Sequence, residues 1–153
     1  MIMRVSGVRF AVGGLMVALA LTACDNSQPR VDVGGLAQTP ADLSQLEGGV
    51  WVADSVLDPD VSLVPGTEVE IRFQSDSLSV NADCNTLFGG ASIEGDDLVV
   101  PALASTRKAC EDALSRQDAW LTDFLSSHPA IEVLDQDLWL SHGDDSVIHL
   151  VHQ

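Results

Sequence analysis

Two cysteines carry the residue types and spacing that could do chemistry: Cys84, in NADCNTLFGG (81–90), and Cys110, closing ASTRKAC (104–110). A cysteine can serve as a nucleophile, a metal ligand or half of a disulfide. A nucleophile needs a lowered pKa and a neighbouring base. The four histidines, His128, His142, His149 and His152, all lie in the C-terminal quarter, and none has a recognisable motif around it. A zinc site needs further ligands at regular spacing, such as paired C-x-x-C units, and the sequence has none. The choice among the three roles depends on the compartment, and the start of the chain bears on that.

The chain opens MIMRVSGVRFAVGGLMVALALTAC. Arg4 and Arg9 give a positive start, and Phe10 to Thr22 is an uncharged apolar run. A short basic region, an apolar run and small residues before a cut describe a secretory signal. The run is shorter than the roughly 20 residues a bilayer span needs. Thr22-Ala23 directly before Cys24 resembles the lipobox of bacterial lipoproteins. That resemblance implies cleavage before Cys24, acylation of its sulfur with diacylglycerol, and anchoring to a membrane by two or three chains. Each buried methylene contributes about 0.8 kcal/mol, so several chains hold far more firmly than one. Export also sets the redox surroundings, in which disulfides persist. With Cys24 committed to lipid, Cys84 and Cys110 remain and are expected to form one structural bond.

Removing the signal (1–23) leaves 130 residues. Lys and Arg together number 7 against 23 Asp and Glu; with Arg4 and Arg9 gone, the exported part carries a formal charge of −18. Phosphate backbones require clustered Lys and Arg, so nucleic acid is excluded as a partner. Such acidity keeps an exported domain soluble, and it would steer a basic protein partner inward.

Residues 24–45 are read as the lipidated cysteine and a flexible tether, because Gly, Pro, Ser, Gln and Asp dominate without apolar periodicity. A single domain is expected over 46–153. Its signals are mostly β. TEVEIRF (67–73) alternates Val69, Ile71 and Phe73 with Glu68, Glu70 and Arg72; SLSVNADC (77–84) alternates through Leu78, Val80, Ala82 and Cys84, which puts Cys84 on the core face. GVWVADSVL (49–57), two short strands around Gly95-Asp96, and three strands in 130–151 complete the β set. CEDALSRQDAWLTDFLSSHP (110–129) instead shows helical spacing at Leu114, Leu121, Phe124 and Leu125, closed by Pro129. The fold class is therefore α+β, mainly β: an antiparallel meander or barrel-like sheet of about eight strands with one packed helix.

DCNTLFGG, followed by ASTRKAC and then by a helix, resembles the META domain family. The likeness extends from LEGGVWVADSV to the last strand. The family includes heat-inducible bacterial envelope proteins and many small lipoproteins. The resemblance implies a compact antiparallel β structure with one packed helix, and no reaction, because it supplies no catalytic residues to carry over. One departure is Glu111, where family members often have proline.

Asn85, Thr86, Ser105, Thr106 and Arg107 become spatial neighbours if Cys84 and Cys110 bond. They form a candidate polar patch, though turn and cap chemistry is the better reading, with Arg107 pairing with Asp83 or a carbonyl. EGDDL (94–98) and HGDDS (142–146) do not match a calcium loop and read as hairpin turns. Trp51, Trp120 and Trp139 are expected in packing. No metal and no cofactor is implied. The leading functional reading is a non-catalytic, lipid-anchored, monomeric protein of the bacterial cell envelope, facing away from the cytoplasm. It would bind an envelope protein or a small ligand, or protect under stress. The alternative is an inhibitor of a basic enzyme such as lysozyme, met by charge complementarity.

Overall fold

The computed structural model describes residues 37–153. The expected signal, Cys24 and the tether as far as residue 36 lie outside the described residues.

The described chain begins earlier in the fold than the expected boundary at Leu46. Gln38 pairs with Val133 through two backbone hydrogen bonds of 2.8 and 2.7 Å. A short 3-10 helix, Leu43–Leu46, follows, with Asp42 accepting from the Ser44 N–H at 2.9 Å. Leu43 and Leu46 are both buried. Burying two leucines stabilises by about 1.5–3 kcal/mol each, enough to offset the ordering of a few polar residues between them.

Ten strands make one antiparallel sheet: β1 Trp51–Leu57, β2 Glu70–Gln74, β3 Ser77–Asn81, β4 Thr86–Gly90, β5 Ser92–Glu94, β6 Asp97–Val99, β7 Ala104–Ser105, β8 Ala130–Leu134, β9 Asp137–His142 and β10 Ser146–His152. The helix α1, Asp112–Ser126, lies between β7 and β8. The expectation was five strands, a helix and three strands; the observed layout is seven, one and three. The two added strands are β4 and β7. TLFGG carries two adjacent glycines, which weaken a strand signal, yet Gly89 and Gly90 pair with Leu78 and Ser77 in the β3–β4 ladder. A two-residue strand such as β7 carries no readable period.

The spatial order is β5-β6-β8-β9-β10-β1-β2-β3-β4-β7. β4 and β5 are one stretch of chain interrupted at Ala91: its first half pairs with β3 and its second half with β6. The backbone itself therefore joins opposite parts of the sheet and forces it to curl into a barrel-like half-shell. Alternate side chains line the concave face, among them Ile71, Phe73, Leu78, Val80, Leu98, Ile131, Leu138, Leu140, Ile148 and Leu150, all buried. Period-2 alternation places every second residue there, as the sequence predicts. Leu121, Phe124 and Leu125 of α1 join the same core.

Two tight spots position the rest. A Cβ on Gly89 would lie 2.2 Å from the Ala102 carbonyl oxygen, so glycine lets the segment before β7 cross close over β4. The loop between β1 and β2 is pinned by Asp58, whose Oδ2 accepts from the Ser146 hydroxyl at 2.6 Å and the Trp120 indole N–H at 3.1 Å. The Ser146 hydrogen bond is the chief cause that holds the Asp58 carboxyl below its ordinary value, with the Asp60 amide and Trp120 adding to it against partial burial.

Gly89→Ala should lower stability in urea by about 1–3 kcal/mol, because backbone and not a flexible side chain must yield. Gly90→Ala should change it by less than about 0.5 kcal/mol, since its nearest neighbour, the Asp76 carbonyl, is 3.8 Å away. Equal losses would contradict this. For Asp58, a lowered folded pKa means the charged form is the stabilising one. Its contribution is present above the unfolded pKa and is lost as pH falls through the folded value. Asp58→Asn should therefore destabilise at pH 7 and converge on the wild type in strong acid, as read by denaturation at the two pH values.

Candidate functional site

After β3 the chain turns sharply. Ala82 donates its N–H to the Asn85 carbonyl at 2.9 Å, and Asp83 takes φ 73°, a left-handed conformation that Asp tolerates better than most residues. This turn breaks the strand alternation. Cys84 is therefore half-buried rather than on the core face, where simple alternation would put it. Cys84 and Cys110 are disulfide-bonded, with α-carbons 6.1 Å apart. The bond links the β3–β4 turn to the residue two before α1. It closes a loop of 26 residues, worth roughly 3–4 kcal/mol in chain-entropy arithmetic.

Beside the bond lies a polar knot centred on Asn85, which is buried. Its Oδ1 accepts from the Thr106 hydroxyl at 2.9 Å and from the Lys108 N–H at 2.9 Å. Its Nδ2 donates to Asp118 Oδ2 at 2.6 Å and to Cys110 Sγ at 3.3 Å. The Thr106 hydroxyl in turn accepts from the Thr86 N–H at 3.0 Å, and the Thr106 N–H donates to the Thr86 carbonyl at 3.1 Å. One amide side chain thus ties the β3–β4 turn, the β7–α1 loop and α1 together. Gln117 makes a parallel tie: its Oε1 accepts from the Val64 N–H at 2.8 Å and its Nε2 donates to the Ala82 carbonyl at 3.2 Å.

Of the five patch candidates, the structure brings Asn85, Thr86 and Thr106 into direct contact and leaves Ser105 and Arg107 exposed, with no ion pair from Arg107 to Asp83 among the described residues. Gln117 and Asp118 were missed. Both are buried, and both sit on the inner face of α1 between Leu114 and Leu121. The available signal was that polar gap in an otherwise apolar stripe at helical spacing.

Other groups are committed to packing. His149 sits between Asp137 (Nε2 to Oδ1, 2.7 Å) and Asp54 (Nδ1 to Oδ2, 3.5 Å) and stacks on Trp139 with ring centres 5.1 Å apart. Trp51 is buried, and its indole N–H donates to the Leu46 carbonyl at 3.0 Å. The acidic hairpins 94–98 and 142–146 are turns with Gly95 and Gly143 at positive φ. Shallow concavities lie elsewhere, two of them near the helix and the N-terminal segment. One, of about 270 Å³, is lined by Leu63, Val64, Pro65 and Arg116; the other, of about 330 Å³, by Gln38, Pro40, Gln45 and Val133. Cys84, Cys110 and Asp118 are the one group of metal-ligating side chains close together among the described residues. As a disulfide, the sulfurs offer no thiolate.

The META domain profile matches residues 44–153, which includes the disulfide, the Asn85 knot and α1. The chain belongs to the META domain family. Two solved structures share the fold. An NMR structure of a protein from Burkholderia xenovorans has a TM-score of 0.58 at 14% identity, covering 72% of this chain and 86% of that one. A second NMR structure has a TM-score of 0.57 at 22% identity, covering 71% and 92%. No curated protein is significantly similar in sequence. Membership of the META family supports a general envelope-protein role.

Asn85→Ala should cost about 2–3 kcal/mol, because it strips the buried Asp118 carboxylate of its donor. Adding Asp118→Ala should restore part of that loss, with the pair non-additive by more than about 1 kcal/mol. Urea denaturation of the oxidised proteins checks this; simple additivity would show that the two side chains act independently.

Proposed function

We propose that this META domain protein is a non-catalytic, lipid-anchored protein of the bacterial cell envelope, held outside the cytoplasm and acting by binding or protection. The observation that carries the reading is the disulfide from Cys84 to Cys110, a bond suited to an exported domain, in a chain whose leader ends LTAC at Cys24. The polar groups around the bond are engaged with one another: Asn85, Thr86 and Thr106 form a closed network between backbone segments. Such a network rigidifies a fold and leaves no nucleophile aimed outward. The acidity of the exported part, −18, supports a second reading as an inhibitor of a basic enzyme such as lysozyme. There, rim carboxylates would speed encounter in a salt-dependent way.

Cell fractionation with mass spectrometry tests the anchor. The wild-type protein should be found in membranes, beginning at an acylated Cys24, and Cys24→Ser should release it from them. A Cys24→Ser protein that is cleaved and still membrane-bound would overturn the anchor. Crosslinking in intact envelopes then separates the readings. A partner captured without loss of an enzyme's activity supports binding, whereas salt-sensitive inhibition of lysozyme by the purified domain supports the second reading.

A further inference from the structure

Asp118 is incompletely satisfied. It is 8% exposed, on the inner face of α1, and its Oδ1 is buried with no hydrogen-bond partner. Its Oδ2 is taken by Asn85. Among the described residues no cation reaches the carboxylate. A buried acceptor with no donor is costly, and such an atom in a native site marks a missing partner. The neighbours it has are the two sulfurs: Cys84 Sγ, Cys110 Sγ and an Asp118 carboxylate oxygen all lie within 4.8 Å of one another.

We propose that reduction of the Cys84–Cys110 bond opens a three-ligand site for a soft divalent cation of the Zn2+ class, made of the two thiolates and a carboxylate oxygen of Asp118. A dithiol reductant supplies two electrons and two protons, becoming a disulfide itself, and leaves Cys84 and Cys110 as thiols. Binding of the ion then displaces both thiol protons to solvent. Thiolate pairs select zinc-like ions over calcium or magnesium, and three protein ligands leave the fourth tetrahedral position to water or an incoming donor. With Zn–S bonds of about 2.3 Å, tetrahedral sulfurs stand roughly 3.8 Å apart. Cysteines whose α-carbons are 6.1 Å apart reach that spacing by side-chain rotation alone.

The surroundings are built for it. Asn85 Oδ1 is fixed by Thr106 and by the Lys108 amide, which aims Nδ2 at both Asp118 Oδ2 and Cys110 Sγ. That amide orients the carboxylate, leaves Oδ1 free, and donates to a thiolate, the part a supporting residue plays around a metal. In the oxidised protein the same atoms are locked by the S–S bond, so the disulfide acts as a redox latch on the site. The ligands at 84, 110 and 118 match no regular metal motif.

The test uses the mature protein, oxidised, or reduced with a phosphine that is removed before metal is added. Zn2+ competition against a chromophoric chelator gives stoichiometry and affinity, and Co2+ gives the ligand-field spectrum. One ion per reduced chain, thiolate-to-cobalt charge transfer, a Tm raised by Zn2+ in the reduced form only, and no effect of chelator on the oxidised form are expected. Asp118→Asn, confirmed as folded by circular dichroism when oxidised, should weaken Zn2+ binding at least tenfold and shift the cobalt bands. A reduced chain that takes no ion would overturn the proposal, as would one that unfolds and stays unfolded with Zn2+. Equal affinity of the Asp118→Asn variant would do the same, since the sulfurs alone would then account for binding.

Discussion

The fold turns on one buried amide. Asn85 stands where three pieces of chain meet: the turn leaving β3, the loop entering α1, and α1 itself. The C-terminal half of the helix is secured by Leu121, Phe124 and Leu125 in the common core. Its N-terminal half presents Gln117 and Asp118 to the interior instead. Polar groups buried without partners would push the helix away from the sheet. Asn85, the Gln117 ties and the Cys84–Cys110 bond convert that liability into attachment, at the cost of one unsatisfied carboxylate oxygen on Asp118.

The sheet imposes a second constraint on the same region. Because β4 runs straight into β5 through Ala91 and pairs on two sides, the strand that follows the Cys84 turn cannot shift without disturbing β3 and β6 together. Gly89 allows the segment before β7 to pass over this strand, and that path delivers Thr106 and Lys108 to Asn85. The polar knot is thus set by the curl of the sheet. Its side chains are held by hydrogen bonds fixed in advance, as in any preorganised scaffold.

The sequence shows the parts of this arrangement that depend on a period. Ile71, Phe73, Leu78 and Val80 were legible as an inward face, and Leu121, Phe124 and Leu125 as a helical stripe, because burial imposes spacing. The pairing of Cys84 with Cys110 was legible from compartment and number. What escaped depends on tertiary context. β4 hides behind its two glycines, of which Gly89 serves a close crossing rather than a turn. Leu43 and Leu46 are isolated in polar sequence and acquire meaning only against the sheet. Asp83 at positive φ turns Cys84 off the face that alternation assigns to it. Gln117 and Asp118 look like ordinary surface residues of a helix until the loop donors that meet them are in place.

If the N-terminal half of α1 is held by polar and covalent ties and its C-terminal half by apolar packing, the two halves must respond differently when the ties are cut. Native-state hydrogen exchange measures this residue by residue. Reducing the bond in the Asn85→Ala protein, without metal and under conditions where the sheet stays folded, should strip protection from the amides of residues 115–119. Those of 124–126 and of β9 and β10 should retain theirs. Uniform loss along the helix, or undiminished protection at 115–119, would contradict the account.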